Sequence, residues 1–215
     1  MACVEAHALL RCGVVPKMDK FGDRTETQEE YMRRAEPVID KMVYWVCAYA
    51  NNQHELGADL GTDPRDSSFY KALEKADGVL VVLDEKATPF TRVWCCFEFA
   101  MVVLGKKLLL DFATVHDGVP QLLTEGSASR DLGTPFNKMV REEGFPLLLM
   151  EKGYDIQIEV AQASRDEDKR NIMNSLAGRE VSELHLEPPQ KHPAFDEVDQ
   201  ILKSIFAEAA LRKAV

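Results

Sequence analysis

Residues 78–84 read GVLVVLD, the clearest β-strand pattern in the chain, and they decide the fold. A short run of valine and leucine is typical of a strand that is buried on both faces. A helix pattern precedes it at residues 67–76, and a second one follows it at residues 91–104. Further strands are predicted at residues 42–50 and 107–113. Strands that alternate with helices indicate a parallel sheet covered by helices, joined by right-handed crossovers.

The pattern is weaker outside this central part of the chain. Residues 145–150 (FPLLLM) are predicted to form a fourth strand, and residues 7–16 (HALLRCGVVP) are the best candidate for the first. A helix is expected from Thr25, with Thr25 and Gln28 as its capping box. Residues 116–135 are predicted to be loop-rich with a short helix. The predicted fold is therefore α/β: a flavodoxin-like open parallel sheet of about four to five strands flanked by helices.

Two regions are predicted, and a stiff, proline-containing linker, residues 187–193, precedes the last helix within the second. Residues 1–155 are predicted to form the α/β domain, best supported over residues 42–113, and residues 156–215 a helical C-terminal extension. The last helix has one apolar face, which is expected to dock on the body of the protein. That face consists of Phe195, Val198, Ile201, Leu202, Ile205, Phe206 and Ala209.

Composition and charge disfavour two classes of partner. The formal net charge is −10 and the sequence pI is about 5.0, which disfavours capture by nucleic acid or by an anionic membrane surface. The five cysteines lack the spacing of a zinc site, so no metal is expected. The N-terminal stretch does not resemble a signal peptide, and no apolar run has the length of a membrane helix. A reduced, cytoplasmic location is expected.

The predicted sheet topology locates a site. Ligands of open parallel sheets bind outside the carboxyl ends of the strands, where helix N-termini also point. The polar side chains that follow the strands there, or belong to the next helix, are Asn51, Asn52, Gln53, His54, Asp84 and Glu98. We expect all of them to line one cleft.

Glu98 is the most informative of these residues, because it is the single carboxylate in the apolar stretch VWCCFEFAMVVL, residues 93–104. An unpaired charge in such surroundings is costly, so the carboxylate requires a partner, a shifted pKa or a function. A structural ion pair with Arg92 or Lys107 is the alternative.

The other candidates also have structural interpretations. Residues 51–54 could cap a turn, and Asp84 could bracket a polar loop. Trp94, one helical turn before Glu98, is either a core residue or a platform on which a ligand stacks. Cys95 and Cys96 are expected to be packing residues, because the sequence supplies no activating partner for either thiol.

Two motifs resemble the Toll/interleukin-1 receptor (TIR) superfamily, especially the divergent TIR-like domains of multidomain proteins in protists, fungi and plants. YWVCAYANNQH, residues 44–54, is similar to the second strand and the Asn-Gln-His that follows it. TRVWCCFE, residues 91–98, is similar to the Arg-x-Trp-Cys-x-x-Glu pattern after the third strand. The motif that ends the first strand of TIR domains is not found.

The resemblance implies an intracellular signalling domain. In enzymatic TIR domains the glutamate of this motif cleaves the nicotinamide N-glycosidic bond of NAD, a role that falls here on Glu98. NAD is then a substrate, and no cofactor is expected. The alternative is a catalytically silent module that associates with itself or with other TIR-like domains. A third option is an enzyme that cleaves another nucleoside or nucleotide.

Overall fold

The computed structural model describes residues 1–14, 17, 19–21, 23–50, 61–105, 108–124, 138 and 142–213, with the backbone alone at 47, 48 and 212. The helices are α1 (Ala2–Arg11), α2 (Gln28–Ile39), α3 (Cys47–Ala50), α4 (Ser68–Leu73), α5 (Val93–Ala100), α6 (Leu147–Tyr154), α7 (Asp166–Leu176) and α8 (Pro193–Lys213). The strands are β1 (Gly78–Val82), β2 (Leu109–His116) and β3 (Val119–Leu123). The protein therefore has a mixed α/β fold.

The described strands form one mixed sheet in the order β1-β2-β3. β1 pairs in parallel with β2, which confirms the strands predicted at residues 78–84 and 107–113. β3 runs antiparallel to β2, in a region predicted to be loop and short helix. Asp117 and Gly118 make the turn between them with φ values of 50° and 76°, the left-handed conformation of a tight hairpin.

Three strand predictions are wrong. Residues 42–46 have no regular structure and lead into α3, and residues 7–11 belong to α1. Residues 147–150 begin α6, with Leu149 and Met150 buried while Leu147 and Leu148 are exposed. A short apolar run is compatible with a buried strand and with one face of a helix. In residues 147–150 the structure adopts the helix.

Two helix starts also differ from the prediction. The capping box of α2 is formed by Thr27 and Glu30, two residues after the predicted pair. Thr91, expected to cap α5, instead donates its hydroxyl hydrogen bond to the Thr88 carbonyl at 2.9 Å. Arg92 is the residue before α5, and its side chain makes no capping hydrogen bond.

The sheet separates two groups of buried residues, because neighbouring strand residues point to opposite faces. On one face, β-strand side chains pack with α5, α6, α7 and α8 in the main core. On the other face, α1 covers a smaller cluster. That cluster consists of Cys3, Leu10, Ala113 and Leu122, with Ala6 and Leu80 packed against it.

Helix α8 docks on the body as predicted. Phe206 is fully buried, and its ring centroid lies 4.7 Å from that of Phe112 on β2 and 5.5 Å from that of Phe90. Gly153 on α6 makes this approach possible, since a Cβ atom there would lie 2.3 Å from the Phe206 ring. No helix within the described ranges combines the length and the apolar character needed to cross a membrane.

Candidate functional site

Glu98 lies in the second turn of α5, the helix that follows β1 and its loop. Val93, Cys96, Phe97, Phe99 and Ala100 face the core, whereas Glu98 is only partly buried. A π-helical turn, Met101–Gly105, continues α5 directly beyond it. Such turns are rare and frequently occur at functional sites. The carboxylate therefore lies at the boundary between core and solvent.

Glu98 has no direct partner in the part of the chain that the structure describes, where its carboxylate makes no hydrogen bond or ion pair. Burial raises the pKa of Glu98 to about 7, and the charge of Arg92 offsets only part of this effect. The ion pair with Arg92, the alternative interpretation, is thus not formed at contact distance, and Lys107 lies outside the described residues. A carboxyl group with a pKa near 7 is able to hold or release a proton under physiological conditions.

Trp94 lies one turn before Glu98 on α5 and belongs to an aromatic array. Its ring stacks on Phe69 with centroids 5.3 Å apart and an interplanar angle of 20°, and it meets Phe97 edge to face at 6.0 Å. The indole Nε1 donates a hydrogen bond to Asp168 at 3.3 Å. Trp94 thus packs against the edge of the core. Its i, i+4 spacing from Glu98 on α5 places its ring one turn away on the same side of the helix, as part of an aromatic wall.

Asp84 stabilises the loop that follows β1. It is exposed at the carboxyl end of β1, and its carboxylate accepts hydrogen bonds from the Thr88 hydroxyl and the Thr88 backbone N–H, both at 2.6 Å. These bonds, led by the one from the hydroxyl, lower the pKa of Asp84. No hydrogen bond or ion pair in the described residues joins Asp84 to Glu98 or Trp94. These contacts match the alternative interpretation of Asp84, in which it brackets a polar loop.

The remaining predicted site residues, Asn51, Asn52, Gln53 and His54, lie outside the described residues. The structure therefore brings Glu98 and Trp94 together on one helix and describes Asp84 in a separate set of contacts. Cys96 is buried, its thiol lies 3.6 Å from the Phe90 carbonyl, and burial raises its pKa well above the usual range. Within the described residues, no group of acidic, histidine or cysteine side chains is suited to hold a metal ion.

Two features of the structure near the strands were not predicted from the sequence. Ala87, buried in the loop between β1 and α5, has a φ of 54°, a left-handed conformation that costs a non-glycine residue about 1 kcal/mol or more. Asp111 is a buried carboxylate on β2 that accepts hydrogen bonds from Arg11 and His7. Its signal was present, since Asp111 is the single carboxylate in the apolar run LLLDFA.

Comparisons with family models, with characterised proteins and with solved structures find no match for this chain. The class that fold and site define is therefore an α/β protein with a partly buried glutamate of raised pKa, which has no partner among the described residues and lies beside an aromatic wall. The likeness to TIR domains rests on the two sequence motifs alone.

Proposed function

We propose that this chain is a TIR-like signalling domain that cleaves the nicotinamide N-glycosidic bond of NAD, with Glu98 as the central carboxylate. The environment of Glu98 carries the proposal: the residue keeps some solvent contact, lacks a direct partner among the described residues and has a pKa raised to about 7. A structural carboxylate would be expected to have a cation or a donor beside it. Asp111, held by Arg11 and His7, is an example in this same chain.

Cleavage of the nicotinamide N-glycosidic bond requires few catalytic groups. When the bond from the ribose C1′ to the nicotinamide nitrogen breaks, its electron pair neutralises the pyridinium, so no strong general acid is needed. An ionised Glu98 beneath the ribose would hydrogen-bond its hydroxyls and stabilise the positive charge that develops on the sugar. Water then adds at C1′ and loses its proton, which a carboxylate with a pKa near 7 is suited to accept.

The finer fold assignment belongs to the same proposal. Of the proposed flavodoxin-like sheet of four to five strands, the described residues contain one β-α-β unit, in which the helix that carries Glu98 joins the parallel strands β1 and β2. A ligand site near the carboxyl end of β1 follows from that architecture. The strained Ala87 in the loop at this end supports the same location, since strained residues cluster at functional sites.

The pH dependence of cleavage tests the role of Glu98. Because the ionised carboxylate is the active form, kcat/KM for NAD is expected to rise roughly tenfold per pH unit below a pKa of about 7 and to level off above it. Nicotinamide release between pH 5 and pH 9 gives this profile.

Asp199 provides the control. It is another carboxylate with a raised pKa: burial raises the pKa of Asp199 to about 6. Its Oδ1 accepts the Ile158 N–H at 3.1 Å, a hydrogen bond that an asparagine would also accept. In the Asp199→Asn protein, the rise of kcat/KM up to about pH 7 should be the same as in the wild type. A profile that is flat from pH 5 to pH 9 would argue against Glu98.

Exposed apolar side chains favour a second candidate function, a self-associating interaction module. Val43 and Tyr49 are 92% and 84% exposed, and Trp45 and Val46 in the same segment are also exposed. Apolar side chains clustered in this way commonly mark a contact surface. The two functions are compatible, because TIR enzymes commonly assemble before they turn over substrate.

Replacing Val43 and Tyr49 together by serine is expected to abolish concentration-dependent assembly, since it removes the two most exposed apolar side chains of this segment. Light scattering over a hundredfold range of protein concentration measures the effect. The matched control replaces Tyr154 and Val160, which are exposed elsewhere, by serine. Wild-type protein that stays monomeric, or equal loss of assembly in both variants, would exclude this surface.

A further inference from the structure

A chain of hydrogen bonds connects the buried Asp111 to the segment before α3. Asp111 is 1% exposed on the central strand, and its Oδ2 accepts hydrogen bonds from Arg11 Nε and His7 Nε2, both at 2.7 Å. The second nitrogen of His7, Nδ1, lies 2.7 Å from the Tyr44 hydroxyl. Since Nε2 donates to the carboxylate, Nδ1 of a neutral His7 accepts, and the Tyr44 hydroxyl donates to it.

Aromatic contacts continue from there toward Glu98. Trp45, the residue after Tyr44, meets Phe69 edge to face with centroids 5.6 Å apart. Phe69 stacks on Trp94, which lies one helical turn before Glu98. The route therefore begins on the face of the sheet covered by α1 and ends on the helix that carries the candidate catalytic carboxylate.

Residues 42–46 have no regular secondary structure to hold them. Val43 is almost fully exposed, so it adds little packing, while the Tyr44 hydroxyl is fixed by a buried histidine. The hydrogen bond of His7 is thus a specific anchor of this segment, and Trp45 lies directly beside that anchor. An edge-to-face aromatic contact depends on orientation, so a shift of Trp45 changes how it supports Phe69.

We propose that His7 is a positioning residue for the Glu98 site: by holding Tyr44, it fixes Trp45 against Phe69 and so sets the aromatic wall beside Glu98. This inference rests on the proposed function for its effect on NAD cleavage. Its structural part, the position of Trp45, does not depend on that function.

Tyr44→Phe tests this proposal, because it removes only the hydroxyl and leaves the bond between His7 and Asp111 intact. The expected result is a fall in kcat/KM for NAD of about 3- to 10-fold, mainly through KM, as one partly buried hydrogen bond is lost. If the hydroxyl served only the stability of the fold, Tyr44→Phe would lower the unfolding temperature but would not raise KM selectively over its effect on kcat. His7→Gln is the second variant and should act in the same direction.

Tryptophan fluorescence supplies a readout that needs no activity. The chain has two tryptophans, Trp45 and Trp94, so a Trp94→Phe background leaves Trp45 as the only tryptophan, which is excited selectively at wavelengths that tyrosine does not absorb. In that background Tyr44→Phe is expected to increase the quenching of Trp45 by acrylamide. Tyr154→Phe, at an exposed tyrosine on α6, is the matched control and should change nothing.

The outcomes separate this inference from the proposed function. Unchanged quenching in Tyr44→Phe and His7→Gln would overturn the inference whether or not NAD is cleaved. Increased quenching with unchanged kcat/KM would also overturn it, because the aromatic wall would then not serve the site. If the wild-type protein releases no nicotinamide, the proposed function fails, and the fluorescence result alone decides whether His7 positions Trp45.

Discussion

Glu98→Gln is expected to abolish nicotinamide release from NAD and, at the same time, to stabilise the protein at pH 8. The folded-state pKa of about 7 lies above the usual value of 4.5, so the fold favours the protonated form. The stability this provides is fully present below the unfolded pKa and is lost as the pH rises through 7. Glutamine, which stays neutral, should therefore recover about 1–3 kcal/mol at pH 8; this is less than the full shift implies, because Glu98 keeps some solvent contact.

Thermal unfolding at two pH values measures this effect. The gain of Glu98→Gln over wild type should be a few degrees at pH 8 and should disappear near pH 4.5, where Glu98 is protonated in the folded protein. Glu151→Gln, at an exposed glutamate on α6, is the matched control and should change stability by less than about 0.5 kcal/mol. Destabilisation by Glu98→Gln at pH 8 would indicate that the carboxylate holds the fold together.

Phe206→Ala should have the largest effect on stability, a loss of about 3–5 kcal/mol. The ring is fully buried against Phe90 and Phe112 and lies over Gly153, so its removal leaves a cavity where α8 meets both the sheet and α6. Chemical denaturation monitored by circular dichroism measures this loss.

The same helix offers the control for Phe206. Leu211 is 69% exposed, and Leu211→Ala should cost less than about 0.5 kcal/mol. If both variants unfolded at the same denaturant concentration, α8 would not be part of the core. A single unfolding transition is expected for the wild-type protein, because residues of α8 share one core with β2 and α5.

The sequence predicted the centre of the fold better than its margins. β1 is a run of valine and leucine, β2 begins in the apolar run LLLDFA, and α8 has an unbroken apolar face, so the sequence predicts each of them correctly. The runs at 42–50 and 145–150 are equally apolar, but the burial that decides between strand and helix is set by the rest of the fold. β3 carried an overlooked signal, because Asp117-Gly118 is a strong hairpin pair. Pro120 argues against a strand at this position, but an edge strand such as β3 tolerates proline.

Whether a buried carboxylate has a partner could not be predicted from the sequence. Glu98 and Asp111 carry the same signal, a single carboxylate in an apolar run, but their environments differ. Asp111 is neutralised by Arg11, which is 100 residues away in sequence, whereas Glu98 has no such partner among the described residues. Such distant pairing cannot be deduced from spacing, so only the folded structure separates a structural carboxylate from a candidate catalytic one.

The rate of nicotinamide release from NAD at pH 8, compared between wild type and Glu98→Gln at high protein concentration, tests the central claim most directly. We predict release by the wild type and a loss of at least about a hundredfold in the variant, with the fold of both unchanged by circular dichroism. Equal rates in the two proteins, or no release by either, would contradict the claim that Glu98 is the central carboxylate of an NAD-cleaving site.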